Sequence, residues 1–264
     1  MLLSLADWLK EQCAQFVFAP AGVFQTDGEL DWPLVANDAD ELIGQLDTGG
    51  FLTPLPSESA ALANVIEVAL VDYLSERIRR LAVAGSHASA ERGAARGYPD
   101  LEVDGDVFGG GPRAVDIKMA RIKVPRKGPP TKTESRITLY TGNTYFRYPS
   151  IKIGGIRRPF DDYREHLDII GLYVFDESTK ARVTSLELLV CEPWQVASRE
   201  RSSTTREYIG AVESLADLRA GQGAFASKEA FYKYWREEYK GFKTPRMIQR
   251  ELDKLLRRGG PAPG

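Results

Sequence analysis

Cysteine is scarce in this 264-residue sequence, which contains only Cys13 and Cys191, far apart and outside any CxxC pattern. Two such residues form neither a disulfide framework nor a zinc site, and they are typical of the reduced thiols of a cytoplasmic protein. Long apolar runs are also lacking, since no stretch approaches the ~18 residues of a transmembrane helix. The N-terminal segment has no basic region and soon reaches Asp7, which argues against a signal peptide. We therefore expect a cytoplasmic protein with no membrane partner.

The chain also lacks an excess of charge of one sign. It has 35 Lys and Arg against 37 Asp and Glu, which gives a formal net charge of −2. A nucleic-acid surface would therefore need a local concentration of basic residues. The residues that are present, 43% hydrophobic and 27% charged, are typical of a globular domain. The length is sufficient for a large core.

Apolar periodicity and turn residues divide the chain into elements. Helical spacing predicts helices over 2–17, 57–81, 228–239 and 245–256. Extended patterns predict strands over 100–103, 114–124, 136–140, 145–153, 166–175 and 186–190. The composition predicts short strands and loops over 18–56, and polar surface loops over 84–97 and 197–210. Together these elements predict an α/β fold in which helices flank a mixed central β-sheet.

Two short motifs suggest chemistry. Tyr98-Pro99-Asp100 begins one predicted strand, and Asp116-Ile117-Lys118 lies within the next. Side chains alternate across a strand, so Asp116 and Lys118 share one face. Adjacent antiparallel strands lie only ~5 Å apart, so a register that puts Asp100 beside Asp116 creates a two-carboxylate site. Such a site can hold Mg²⁺, and a nearby ammonium can steady the charge that grows on a phosphate.

A third acidic residue, Glu67, borders the apolar stripe of the long predicted helix, where a carboxylate is costly unless a cation or hydrogen bonds compensate. Other interpretations of these motifs stay open. A lone Pro-Asp is usually a turn, and a lone Asp-x-Lys is usually a solvated strand face. Glu102 and Asp104 are competing ligands. His87 and His166 are candidate general bases, although His166 lies in an apolar run and is more often a core histidine.

Four blocks of the sequence together resemble a known family. They are residues 64–68, the two motifs at 98–100 and 115–118, residues 158–173 and residues 221–236. In this order they resemble the active-site helix, the catalytic strand pair, a core segment and the C-terminal helix entry of the PD-(D/E)xK superfamily of type II restriction endonucleases. Within that superfamily the likeness is to EcoRV and its relatives. The last two blocks are more specific than the catalytic motif alone.

The resemblance implies roles for the residues of the site. The implied catalytic residues are Asp100, Asp116, Lys118 and Glu67. The implied ligands of Mg²⁺ are Asp100, Asp116, Glu67 and Ile117. Lys118 would position water and the scissile phosphate. No organic cofactor is implied.

The resemblance also implies partners. Double-stranded DNA would be bound by a homodimer, because a palindrome has two-fold symmetry. A polar segment falls where the major-groove recognition loop of the family is expected. The candidate DNA-binding residues are Ser198, Arg199, Arg201, Ser203, Thr204, Thr205 and Arg206, together with Arg92 in an expected minor-groove loop. Arginine recognises guanine in a bidentate manner, which favours G·C pairs in the site, but contacts to phosphates alone are an equal alternative.

The resemblance covers roughly residues 55–240, and we expect the whole chain to divide into three parts. Residues 1–56 would form an N-terminal helix and a dimerisation subdomain, residues 57–258 the endonuclease core, and residues 259–264 a disordered tail. The implied function is Mg²⁺-dependent cleavage of DNA at a palindrome of about six base pairs with G·C content, leaving 5′-phosphates and blunt ends. The alternatives are a structure-specific repair or recombination nuclease of the same superfamily, and a non-catalytic DNA-binding protein.

Overall fold

The computed structural model describes residues 2–18, 59–83, 87–94, 97–176 and 182–257. The helices are α1 (Leu5–Gln15), α2 (Ser59–Val83), α3 (Leu215–Ala220), α4 (Lys228–Lys233) and α5 (Arg246–Arg257). The strands are β1 (Ser89–Arg92), β2 (Leu101–Asp104), β3 (Arg113–Arg121), β4 (Thr138–Thr141), β5 (His166–Phe175), β6 (Val183–Cys191), β7 (Ala197–Arg201) and β8 (Tyr208–Ala211). The fold is mixed α/β, consistent with a restriction-endonuclease-like core.

A five-stranded mixed sheet forms the centre, with the strand order β1-β2-β3-β5-β6. β1, β2 and β3 pair in antiparallel fashion, β3 and β5 pair in parallel, and β6 is antiparallel to β5. A parallel pair requires a long crossover connection, which residues 122–165 provide. β3 therefore lies between β2, its neighbour in sequence, and β5, which comes much later in the chain.

Apolar side chains of the central sheet alternate between two cores, as the two-residue period of a strand requires. One face packs against α1 and α2, and its residues from β3 and β5 are Val115, Ile117, Leu167 and Ile169. The other face contributes Ala114, Ala120, Ile170 and Leu172 to the second core. Even-numbered residues of both strands thus lie on the second face, which is the face that Asp116 and Lys118 share.

A smaller antiparallel sheet, with the order β4-β8-β7, packs in the second core together with the C-terminal helices. Phe231 and Trp235 are fully buried there. Ser227 caps α4, since its hydroxyl accepts a hydrogen bond from the N–H of Ala230. After α4 the chain continues as a wider helical turn, Tyr234–Glu238.

Most predicted elements are confirmed. The predicted helices over 2–17, 57–81 and 245–256 correspond to α1, α2 and α5, and the predicted 228–239 helix is divided into α4 and the wider turn. The strands over 100–103, 114–124, 166–175 and 186–190 correspond to β2, β3, β5 and β6. Residues 18–56 lie almost wholly outside the described part of the chain.

Three predictions are wrong. The 197–210 segment is a hairpin of β7 and β8, and the 84–97 segment contains β1. In both segments the side chains are polar, so the sequence did not indicate a strand. The strands are stabilised instead by main-chain pairing with a neighbouring strand. The predicted 145–153 strand begins instead within a helical turn, Gly142–Phe146. In the described residues no helix is both long enough and apolar enough to cross a membrane.

The packing of α2 leads to a first prediction. Leu74 lies in a stripe of residues that are fully buried in this helix, whereas Val68 is 40% exposed. Leu74→Ala should lower the free energy of unfolding by about 2–5 kcal/mol, because it removes buried methyl groups and leaves a cavity. Val68→Ala should change it by less than about 0.5 kcal/mol. Urea denaturation of both variants tests this, and equal effects would contradict the packing described for α2.

Candidate active site

The register of β2 and β3 brings the two sequence motifs together. Leu101 pairs with Val115 in the antiparallel ladder, so one further step places Asp100 opposite Asp116. The ladder ends there, and the side chain of Asp100 takes the place of a strand partner. Its Oδ2 accepts a hydrogen bond of 2.6 Å from the N–H of Ile117. This hydrogen bond holds Asp100 against the segment of β3 that carries Asp116 and Lys118.

An ion pair joins the two polar residues of β3. The Nζ atom of Lys118 lies 2.5 Å from Oδ2 of Asp116. Asp116 is only 2% exposed, and its other carboxylate oxygen, Oδ1, has no hydrogen-bond partner. A buried oxygen of this kind is costly unless a ligand or solvent satisfies it. Within the protein only one oxygen of the Asp116 carboxylate has a partner, and Oδ1 can accept one more.

Like charges crowd this site and change its proton affinities. Burial raises the pKa of Asp100 to about 9, and the neighbouring Asp116 adds to the effect, while Lys118 opposes it. Burial by itself lowers the pKa of Lys118, but attraction to Asp116, Asp100 and Asp168 raises it above its ordinary value. The neighbouring carboxylates therefore favour the ammonium form of Lys118.

Glu67 approaches the same cluster from α2. Burial raises its pKa, Lys118 lowers it and Asp116 raises it again, so the three groups share one electrostatic environment. Among the described residues, however, no three His, Cys, Asp or Glu side chains are arranged to hold a metal ion. Glu67 thus lies beside the pair of aspartates without completing a three-carboxylate cage.

The oxygen atoms of the site suit a hard cation. Mg²⁺ is usually held by one or two carboxylates, with water and substrate phosphate as its other ligands. Asp100 and Asp116 provide the carboxylates, and Oδ1 of Asp116 is unpartnered. Ile117 can offer only its main-chain carbonyl, which points to the same side of the strand as the N–H that binds Asp100. These three residues fit Mg²⁺.

The sequence analysis missed a further acidic residue, Asp168. It is the parallel partner of Asp116 in the β3–β5 ladder, so the two carboxylates lie side by side on one face. Asp168 is 1% exposed, and its Oδ2 has no hydrogen-bond partner. Burial and the nearby Asp116 raise its pKa well above the ordinary range. An acidic residue within an otherwise apolar run was the available signal.

The competing ligand Glu102 is occupied elsewhere. Arg158 donates two hydrogen bonds to its carboxylate, of 2.8 and 2.6 Å, and the Tyr163 hydroxyl donates a third. Arg157 lies 3.3 Å from the same group. Because its oxygens are already bound to these groups, Glu102 links β2 to the segment that carries Arg157, Arg158 and Tyr163.

His166 is a core residue. It stacks on Phe160 at 3.7 Å between ring centroids, and its Nδ1 lies 2.6 Å from the Tyr98 hydroxyl. Burial lowers its pKa to about 3, so the ring is neutral at ordinary pH. His166 links Tyr98, which precedes β2, to the start of β5. In this position it is not placed to act as a general base. His87 is exposed and precedes β1.

The segment expected to recognise DNA is the β7–β8 hairpin. Its arginines are held by internal contacts: Arg199 lies over the rings of Phe225 and Tyr234, and Arg201 pairs with Glu207 at 3.2 Å. Ser198 is buried, and its hydroxyl donates to the main chain. The exposed tip consists of Thr204, Thr205 and Arg206, which follow Ser203. Arg92, the other candidate, lies on β1 and pairs with Asp72.

Comparison with known proteins identifies one family. The family model described as "Restriction endonuclease EcoRV" matches residues 29–257, which includes the whole site described above. No curated protein matches the chain at a significant level. The match covers most of the sequence and agrees with the resemblance inferred from its motifs.

The raised pKa of Asp100 leads to a second prediction. The folded protein holds a proton on Asp100 up to about pH 9, whereas the unfolded chain releases it near its ordinary value of 3.8. The stability of the metal-free protein should therefore fall as pH rises through this interval, because the folded state binds the extra proton. Asp100→Asn, which cannot ionise, should show a shallower decline and be the more stable protein near the top of the interval.

Thermal unfolding in EDTA across this pH range measures the effect. Asp104→Asn, at the far end of β2, is the matched control and should keep the slope of the wild type. An Asp100→Asn slope equal to that of the wild type would contradict the described crowding of carboxylates.

Proposed function

Because the chain belongs to the restriction endonuclease EcoRV family and is a type II site-specific deoxyribonuclease, we propose that it cleaves duplex DNA at a palindrome of about six base pairs, as a homodimer. The reaction depends on Mg²⁺ and leaves 5′-phosphates and blunt ends. The observation that supports this most is the convergence of Asp100, Asp116 and Lys118 at the end of one strand pair.

In the proposed reaction Asp100, Asp116 and the carbonyl of Ile117 would hold the metal ion. When bound, Mg²⁺ supplies Lewis-acid polarisation of the phosphate and helps to activate water. Lys118, whose pKa is raised by the neighbouring carboxylates, donates hydrogen bonds to a phosphate oxygen and offsets the negative charge that grows there. Attack by water forms a new P–O bond as the bond to the 3′-oxygen breaks, so that a 5′-phosphate and a 3′-hydroxyl result.

Glu67 has a secondary role in this proposal. It lies within the electrostatic reach of Lys118 and Asp116 but outside a direct ligand cage. Its charge would help to hold the ammonium of Lys118 and would attract a cation to the site. We also propose the division into residues 1–56, 57–258 and 259–264. Residues 1–56 would serve dimerisation, because a two-fold DNA site requires two copies of this half-site.

A third prediction concerns Lys118. Lys118→Met keeps an unbranched side chain but removes the ammonium group, and it should lower the cleavage rate by about 10²- to 10³-fold. Lys233→Met, an exposed lysine on α4, is the matched control and should cleave at the wild-type rate. Digestion of a sequenced plasmid with Mg²⁺, followed by sequencing of the ends, gives the rate, the site and the end structure together.

The same digest distinguishes the alternatives. Discrete fragments with blunt ends support the proposal. Cleavage confined to junctions or lesions would favour a structure-specific nuclease, and binding without any cleavage would favour a non-catalytic DNA-binding protein. Staggered ends would overturn the proposed cut position alone.

We assign base recognition to the tip of the β7–β8 hairpin. A two-stranded ribbon fits the major groove of DNA, and the tip residues Thr204, Thr205 and Arg206 are exposed. Arg199 lies over two aromatic rings and anchors the hairpin to the C-terminal helical region. The guanidinium of the exposed Arg206 contacts the Tyr208 hydroxyl and ring, so it can turn towards a guanine at small cost.

A fourth prediction tests this assignment. Arg206→Ala should reduce the preference for the mapped site over a site with one altered G·C pair, by about 1–3 kcal/mol in transition-state free energy. Competition cleavage of the two duplexes measures the preference. Arg79→Ala, which removes an exposed arginine of α2 paired with Glu76, should leave it unchanged. An equal loss of cleavage rate on both duplexes would instead indicate that Arg206 contacts a phosphate.

A further inference from the structure

Asp168 has no assigned role, although it lies next to the proposed catalytic centre. Its strand, β5, pairs in parallel with β3, and the register sets Asp168 directly beside Asp116. Parallel strands are ~4.8 Å apart, and register partners point to the same face. The apolar neighbours of both residues on this face belong to the second core. Asp168 is therefore part of the same acidic cluster, approached from the side opposite Asp100.

Two oxygens in this cluster lack a partner. Asp100 uses Oδ2 to accept from Ile117, and Asp116 uses Oδ2 to bind Lys118. Oδ1 of Asp116 and Oδ2 of Asp168 are both buried and without a hydrogen bond. Two orphan oxygens on adjacent carboxylates are explained together by one shared ligand that carries positive charge.

The charges of the cluster support the same conclusion. Asp100, Asp116 and Asp168 meet a single ammonium, that of Lys118. A cation held by Asp100 and Asp116 would lie on the β2 side of Asp116, whereas Asp168 lies on its β5 side. Asp168 is buried there with one oxygen unpartnered, and a cation would supply the missing partner and stabilise the ionised carboxylate.

We propose that Asp116 and Asp168 together bind a divalent cation, so that Asp168 is a metal-binding residue of this enzyme. Two carboxylates are a sufficient protein contribution for Mg²⁺ or Mn²⁺, since water and phosphate oxygens complete the coordination. Because three acidic ligands are not gathered at one point in the described chain, the Asp116–Asp168 pair and the Asp100–Asp116 pair are two overlapping subsites. This inference rests on the proposed function, because Asp116 serves both.

The test uses Mn²⁺ as the probe, without DNA, on the full-length protein. Isothermal calorimetry should show Mn²⁺ binding to the wild type and a loss of one binding event, or about tenfold weaker binding, in Asp168→Asn. Glu187→Gln is the matched control, because Glu187 lies on the next strand of the same sheet but is exposed and paired with Arg219. It should bind Mn²⁺ as the wild type does.

Thermal unfolding gives a second readout that a structural role would not produce. In EDTA, Asp168→Asn should be at least as stable as the wild type, because an amide cannot ionise in this buried position beside Asp116. Added Mn²⁺ should raise its midpoint less than that of the wild type, because stabilisation by a ligand requires the site. A variant that is less stable in EDTA yet gains the full Mn²⁺ shift would overturn the proposal.

Other variants test the same claim if Asp168→Asn does not fold. Asp100→Asn leaves the Asp116–Asp168 pair intact and should retain one Mn²⁺, whereas Asp116→Asn belongs to both subsites and should retain none. Loss of all Mn²⁺ in Asp100→Asn would overturn the inference.

The proposed function and the metal-binding role of Asp168 can be disproved separately. If the wild type neither binds Mn²⁺ nor cleaves a plasmid, the proposed function is wrong. If the wild type does both and Asp168→Asn is indistinguishable from it, then Asp168 shares only a proton with its neighbour and this inference alone is wrong.

Discussion

The active site depends on one strand register, which sets Leu101 opposite Val115 and so ends the β2–β3 ladder at Asp100. Beyond this point β3 has no partner strand on that side, and the Asp100 carboxylate satisfies the N–H of Ile117 instead. A shift by one residue would send Asp116 and Lys118 into the core formed with α1 and α2. The apolar side chains on both faces of β3 prevent this, because each face already has its own core.

The sequence was informative where the signal is local. The two-residue alternation of β3 predicted the shared face of Asp116 and Lys118, and helical spacing predicted α2 and hence the place of Glu67. The β7–β8 hairpin was missed because its polar side chains resemble those of a loop, and its strands are specified by pairing with each other and with β4. Local composition cannot report pairing of this kind.

Asp168 was missed for a different reason. Its importance comes from the parallel pairing of β3 with β5, between residues that are about fifty positions apart in the chain. In the sequence it is one polar residue in a buried strand. The same pairing explains His166, whose neutral ring and contact with Tyr98 connect the start of β5 to the segment that carries Asp100. Long-range pairing thus assembles the site from residues that sequence motifs show only in part.

The crowding of carboxylates has a cost that function explains. Buried like charges destabilise a metal-free fold, and a protein selected for stability alone would replace them with apolar residues of similar volume. Here they are retained against one ammonium, at the only point where the β2–β3 ladder opens to a ligand. A cation that binds the folded state offsets the repulsion and stabilises the protein through mass action. The instability of the empty site and its affinity for metal are therefore two consequences of the same arrangement, in which Asp116 pairs with Lys118 and lies beside both Asp100 and Asp168.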